Sequence, residues 1–201
     1  MKRTALVLVG VVAAACARSA DTAKQDETAA SPVLDSAIAG ATGDTVEDTL
    51  AENGNRARAT VKDANGTELG LLTLAQTPEG ITIEGRLTGL PPGEHGFHVH
   101  AVGRCEPPFE SAGGHWNPAN RQHGEQNPQG AHVGDMLNLN VPASGIAEVS
   151  VSTRGGTMAG DIALLDADGA SVVVHAGPDD YRTDPSGNSG ARIACGVVER
   201  G

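Results

Sequence analysis

From Ala57 onward the chain is a succession of short segments in which apolar and polar residues alternate, each ended by a turn signal. Ala57, Ala59 and Val61 share one side of a two-residue period, and Asp63-Ala64-Asn65-Gly66 follows as a turn. That period belongs to a strand with one buried face. Further strands are expected at 69–74, 81–87, 96–100, 136–141, 147–151, 162–165, 172–175 and 193–198. Residues 77–80, 91–93 and 166–169 are rich in Pro, Gly and Asp and turn the chain between them. About eight short strands with frequent turns predict an antiparallel sandwich or barrel. Only 2% of residues are aromatic and 27 are glycine, which suits short strands and many turns. Two segments, 103–134 and 176–190, are long loops rich in Gly, Pro and Asn, and long loops in a compact domain usually carry function.

The N-terminal quarter has a different character. Met1-Lys2-Arg3 is a positive start, and residues 5–15 are apolar but about half the ~20 residues a spanning helix needs. Together they read as an export signal. Cys16 after three alanines resembles the site at which bacterial lipoproteins are cleaved and lipidated. Cleavage after a nearby small residue such as Ala20, without lipidation, is the alternative. The expected division is 1–16 signal with lipidation at Cys16, 17–56 acidic disordered tether, and 57–201 folded domain. Export to the periplasm or cell surface would permit a disulfide, and a lipid anchor would give a membrane contact. The formal charge of -11 argues against nucleic-acid binding, which requires clustered cations.

Six of the seven histidines form a pattern. His98 and His100 sit two apart on an expected strand and so share a face, from which both could grip one metal ion. His175 ends the apolar strand 172–175. His115, His123 and His132 are spaced along the first long loop, and Asp135 follows. Three imidazoles and a carboxylate would make a closed tetrahedral zinc site, and imidazole also suits copper.

These residues resemble the copper-zinc superoxide dismutase family. The stretches that carry the resemblance are 96–100 (GFHVH), Cys105, 113–118 (GGHWNP), His123-Gly124, 131–138 (AHVGDMLN), 173–176 (VVHA) and 187–197 (GNSGARIACGV). The resemblance implies an all-β fold, an antiparallel Greek-key β-sandwich or barrel with two long functional loops. It implies disproportionation of the superoxide anion with copper and zinc as cofactors. His98, His100, His115 and His175 resemble the copper ligands. His115 resembles the histidine shared with zinc, whose other ligands resemble His123, His132 and Asp135. Arg192 resembles the arginine beside the copper, and Cys105 and Cys195 the family disulfide. Asp179 resembles the acid that hydrogen-bonds one copper histidine and one zinc histidine. His95 matches no ligand position and is expected on the surface or in a loop.

The second loop lacks lysine, and the last lysine of the chain is Lys62. Arg121 or Arg182 could replace lysine in attracting an anion. Pro107-Pro108-Phe109 suggests a bacterial type of disulfide loop, which leaves a homodimer open. A metal-storage module and a structural zinc domain are the competing readings. Storage has no use for Arg192, and a zinc-only domain has none for His98, His100 and His175.

Overall fold

The computed structural model describes residues 54–160 and 163–201. The expected signal, Cys16 and nearly all of the tether lie outside the described residues. Among the described residues nine strands form: β1 (Arg56–Asp63), β2 (Glu68–Gln76), β3 (Ile81–Thr88), β4 (Gly93–His95), β5 (Phe97–His100), β6 (Leu139–Val141), β7 (Ile146–Ser152), β8 (Ser171–His175) and β9 (Arg192–Arg200). Seven of them make one antiparallel sheet in the order β5-β8-β9-β1-β2-β3-β7, and β4 pairs with β6. Consecutive strands β1, β2 and β3 are neighbours, whereas β8 and β9 return to the far side of β1. The fold is therefore all-β and antiparallel, as expected.

The two-residue period explains the core. Ala57, Ala59 and Val61 of β1, Leu72 and Leu74 of β2, and Ile81, Ile83 and Leu87 of β3 all point into one buried apolar cluster. Strand β8 breaks the alternation because it is buried on both faces. Its Val172 and Val174 enter the main core. Val173 faces a second cluster with Phe109, Ala112 and Cys195. Leu74 has no exposed surface, so Leu74→Ala is expected to cost about 2–5 kcal/mol of unfolding free energy, measurable by urea titration.

Three details differ from the sequence expectation. Ile162 lies outside the described residues, and Ala163, Leu164 and Leu165 form a turn rather than a strand. Leu164 and Leu165 donate their backbone N–H groups to Thr157 and Met158, so this apolar run is buried as a loop on the core. In the 136–141 segment only Leu139–Val141 pairs, as β6. Arg56, expected as the last residue before the folded domain, already pairs with Ala75 in β1.

Candidate metal centre

Strand β5 begins the site. Phe97 and Val99 enter the core, which turns His98 and His100 to the opposite face. One edge of β5 pairs with β8. The other edge is taken by the first long loop: Val99 N–H donates to Gly134 (2.9 Å) and Trp116 N–H to Val99 (2.8 Å). Single bridges then set His100 opposite His115 and His98 opposite Asp135. His175 sits at the end of β8, beside a bulge, and pairs with Arg192 at the start of β9. The backbone ladder thus brings together residues as far apart in the chain as His98 and Arg192.

His98, His100, His115 and His175 each place one ligand nitrogen within 4.8 Å of the others. His98 Nδ1 and the Nε2 atoms of His100, His115 and His175 are buried and have no hydrogen-bond partner. Buried polar atoms rarely stay unpaired in native structures. Four such nitrogens converging on one point fit a copper ion, which favours imidazole donors.

The second group surrounds Asp135. Its Oδ1 lies 2.7 Å from His115 Nδ1, 3.0 Å from His123 Nδ1 and 3.1 Å from His132 Nδ1. His132 Nδ1 and His115 Nδ1 are 3.4 Å apart. A tetrahedral zinc site with bonds of about 2.0 Å has edges of about 3.3 Å. The four donor atoms therefore already lie close to the corners that zinc requires.

The far nitrogens of five rings are held in place. His98 Nε2 and His123 Nε2 donate to the two oxygens of Asp179, at 2.8 and 3.0 Å. His100 Nδ1 donates to the Gly113 carbonyl, His175 Nδ1 to Gly190 and His132 Nε2 to Arg121. Each of these bonds orients a ring and leaves the other nitrogen with its lone pair for a cation. His115 has no such partner, and both its nitrogens face donor groups of the cluster.

Burial lowers the pKa of His98 and His100, and brings His115 and His175 down to about 4. These four rings are neutral at neutral pH and open to a cation. His123 behaves oppositely: burial pulls it down, but Asp135 and Asp179 outweigh that and raise it to about 9. Burial also opposes ionisation of Asp135 and Asp179, yet their histidine partners hold both carboxyls well below the usual carboxylate range. A cation at His123 Nδ1 must displace a proton, so uptake is coupled to proton release.

Asp179 is anchored in turn. Its backbone N–H and C=O bond reciprocally to the Asn138 side chain (2.8 and 2.9 Å), and Tyr181 N–H donates to Oδ1. Sequence reasoning missed Asn138, since nothing in the order of residues pairs it with a loop 41 positions on, and Tyr181, whose N–H closes a local turn on Asp179. His95 is a correction. It is buried at 3% exposure in β4, with its ring nitrogens 2.7 Å from the His175 carbonyl and 2.8 Å from that of Pro91. The pairing of β4 with β6 and the bonds of the adjacent Gly96 to His175 and Gly177 hold it under the end of β8.

Arg192 reaches across to the other loop, where Nη1 donates to Phe109 O and Nη2 to Gly113 O, both at 2.7 Å. Gly113 O is also the acceptor for His100, so the guanidinium is tied to a ring of the cluster through one carbonyl. His115, His175, Arg192 and Arg121 line a cleft of about 530 Å³, with Glu110 and Asp184 among its other walls. Arg182 does not line it and instead bonds Gln126. A larger cleft of about 640 Å³ lies over the disulfide between Cys105 and Cys195 and contains none of the histidines.

The family described as Copper/zinc superoxide dismutase (SODC) matches residues 69–198. The chain is 43% identical over 150 residues to superoxide dismutase [Cu-Zn] of Caulobacter vibrioides, covering 71% of this chain and 85% of that protein. It is 41% identical over 148 residues to superoxide dismutase [Cu-Zn] 1 of Aquifex aeolicus, covering 72% and 88%. A crystal structure of a superoxide dismutase-like protein from Bacillus subtilis superposes with a TM-score of 0.68 at 39% identity, covering 71% of this chain and 97% of that one. A match across most of the folded part, joined to a histidine that two clusters of donors share, leads to one conclusion: this chain belongs to the copper/zinc superoxide dismutase family.

Proposed function

We propose that the chain disproportionates superoxide to dioxygen and hydrogen peroxide, with copper at His98, His100, His115 and His175 and zinc at His115, His123, His132 and Asp135. The observation that carries this reading is His115, whose two nitrogens belong to two different donor groups. Copper supplies the one-electron redox change that turns one superoxide into dioxygen and another into peroxide, a change zinc cannot undergo. His115 lines the cleft, and its Nε2, buried beside the donor nitrogens of His98, His100 and His175, is the nitrogen that could hold a proton for the reaction. Arg192 presents a positive charge there, held by two carbonyls and with the Glu110 carboxylate 3.8 Å from its Nη2. The test is metal content and superoxide-decay rate of the purified protein, with and without added copper. A zinc-loaded protein that stays inactive in copper would overturn the assignment.

The chain as a whole is acidic, so attraction of an anion depends on the local field of the cleft. Raising ionic strength is expected to slow the reaction, and Arg192→Glu to lower kcat/KM by about 10-fold or more. Arg121→Gln should flatten the salt dependence, whereas Arg182→Gln should leave it unchanged. Rates independent of salt in all of these proteins would rule out steering.

The N-terminal segment supports the proposal of an exported protein held to a membrane by lipid at Cys16, with the enzyme domain at 57–201 on an acidic tether. Mass spectrometry of the mature N-terminus decides it: a diacylated Cys16 supports the anchor, and a plain terminus near Asp21 rejects it.

A further inference from the structure

The second loop passes close to the carboxylate that links the two groups of histidines. Gly187 lies in that passage with φ +64, a conformation L side chains rarely adopt. A Cβ placed on it would come within 1.8 Å of Asp179 Oδ1, 2.5 Å of Asp179 Cγ and 2.8 Å of His123 Nε2. No side chain can give way by that much, because the carboxylate is held by His98, His123 and Tyr181 together.

The turn that delivers Gly187 is fastened separately. Gly187 N–H donates to Thr183 O (2.6 Å), and Asp180 N–H donates to Gly187 O (2.9 Å). The Asp180 carboxylate accepts from the backbone of Arg182 and Thr183, from the Thr183 hydroxyl and from Asn188. Asp179 and Asp180 thus divide the work: Asp179 turns inward to the histidines, and Asp180 closes the turn on the solvent side.

We infer that Gly187 is a positioning residue for the zinc site. Its bare Cα is the surface against which the Asp179 carboxylate rests while it spans His98 and His123. Any larger residue displaces that carboxylate, frees the far nitrogen of His123 and lets the ring swing away from its donor position. The inference rests on the proposed zinc ligands and goes beyond them, since Gly187 touches no ligand atom that a cation would use.

The experiment measures zinc affinity by competition with a chromophoric chelator, and the visible bands of Co(II) placed in the zinc site. Wild type, Gly187→Ala and Gly66→Ala are compared. Gly66 also has a positive φ (+83) but open space around it, so it reports the cost of backbone strain alone. Gly187→Ala is expected to bind zinc about 10- to 100-fold more weakly, the usual effect of losing a partner behind a ligand. It should also alter the Co(II) bands, whereas Gly66→Ala should match wild type in both. Equal zinc affinity and equal bands in Gly187→Ala and Gly66→Ala would overturn the inference. Wild-type protein that binds no zinc would instead sink the ligand assignment itself, a separate result. If Gly187→Ala does not fold, Asp180→Ala loosens the turn without adding an atom near Asp179. About 10-fold weaker zinc binding is then expected, and unchanged binding would overturn the inference.

Discussion

Replacing His115 with alanine is expected to lower the rate of superoxide disproportionation by more than about 100-fold, beyond the range seen when only an outer partner of a metal ligand is lost. The reason is the double use of one ring. Its Nε2 belongs to the group with His98, His100 and His175, and its Nδ1 stands 2.7 Å from Asp135 Oδ1. One truncation therefore removes a donor from both sites. It also takes away a ring in contact with that of His98, whose centroid is 4.0 Å away. Copper and zinc content should both fall, as read by elemental analysis of dialysed protein. A variant with the wild-type rate and full metal content would refute the shared-histidine reading. Loss of rate with both metals retained would place the role of His115 in proton delivery alone.

Loss of the Cys105–Cys195 disulfide is expected to lower stability by about 4–5 kcal/mol on the chain-entropy model, because the bridge closes a separation of 90 residues. At about 2–4 °C per kcal/mol for a domain of this size, the midpoint of thermal unfolding should fall by about 8–20 °C. The bridge joins the first long loop to β9, and its two cysteines pack in a cluster with Phe109, Ala112 and Val173. Phe109 sits in the left-handed region (φ 73) with its ring buried, which turns its carbonyl toward Arg192. Releasing the loop thus also loosens the guanidinium at the cleft. Cys105→Ser with Cys195→Ser, and wild type under reductant, should show the same lowered midpoint. A midpoint within 2 °C of the oxidised wild type would reject this account, since ~1 kcal/mol alone would move it as far.

Much of this was legible from residue order because strands and ligand pairs both follow local periods. His98 and His100 share a face by the two-residue repeat, and the same repeat puts Ala57, Ala59 and Val61 on the one side that the core buries. The 162–165 segment shows the limit of that logic. A short apolar run reads equally well as a strand or as a loop packed on a core, and here backbone bonds to Thr157 and Met158 decide for the loop. His95 shows it again. As a single histidine after a Pro-Pro-Gly break it carries no periodic signal, and it lies beneath His175 through the β4–β6 pairing and the bonds of the adjacent Gly96 to His175 and Gly177.

What residue order determined by itself is the chemistry on offer: the alternation that makes an all-β domain, the histidines and aspartate that can bind metal, and the cysteines that can pair. These depend on side-chain type and short spacing, which the linear chain already contains. Which nitrogen of each ring is free was decided only by tertiary structure, through Asp179, Gly113, Gly190 and Arg121, residues lying up to 81 positions from the rings they orient. The space beside Asp179 that admits no side chain at Gly187 has the same origin. Hydrogen bonding and steric exclusion act over a few ångströms of space, and that proximity exists only once distant segments of the chain have packed together.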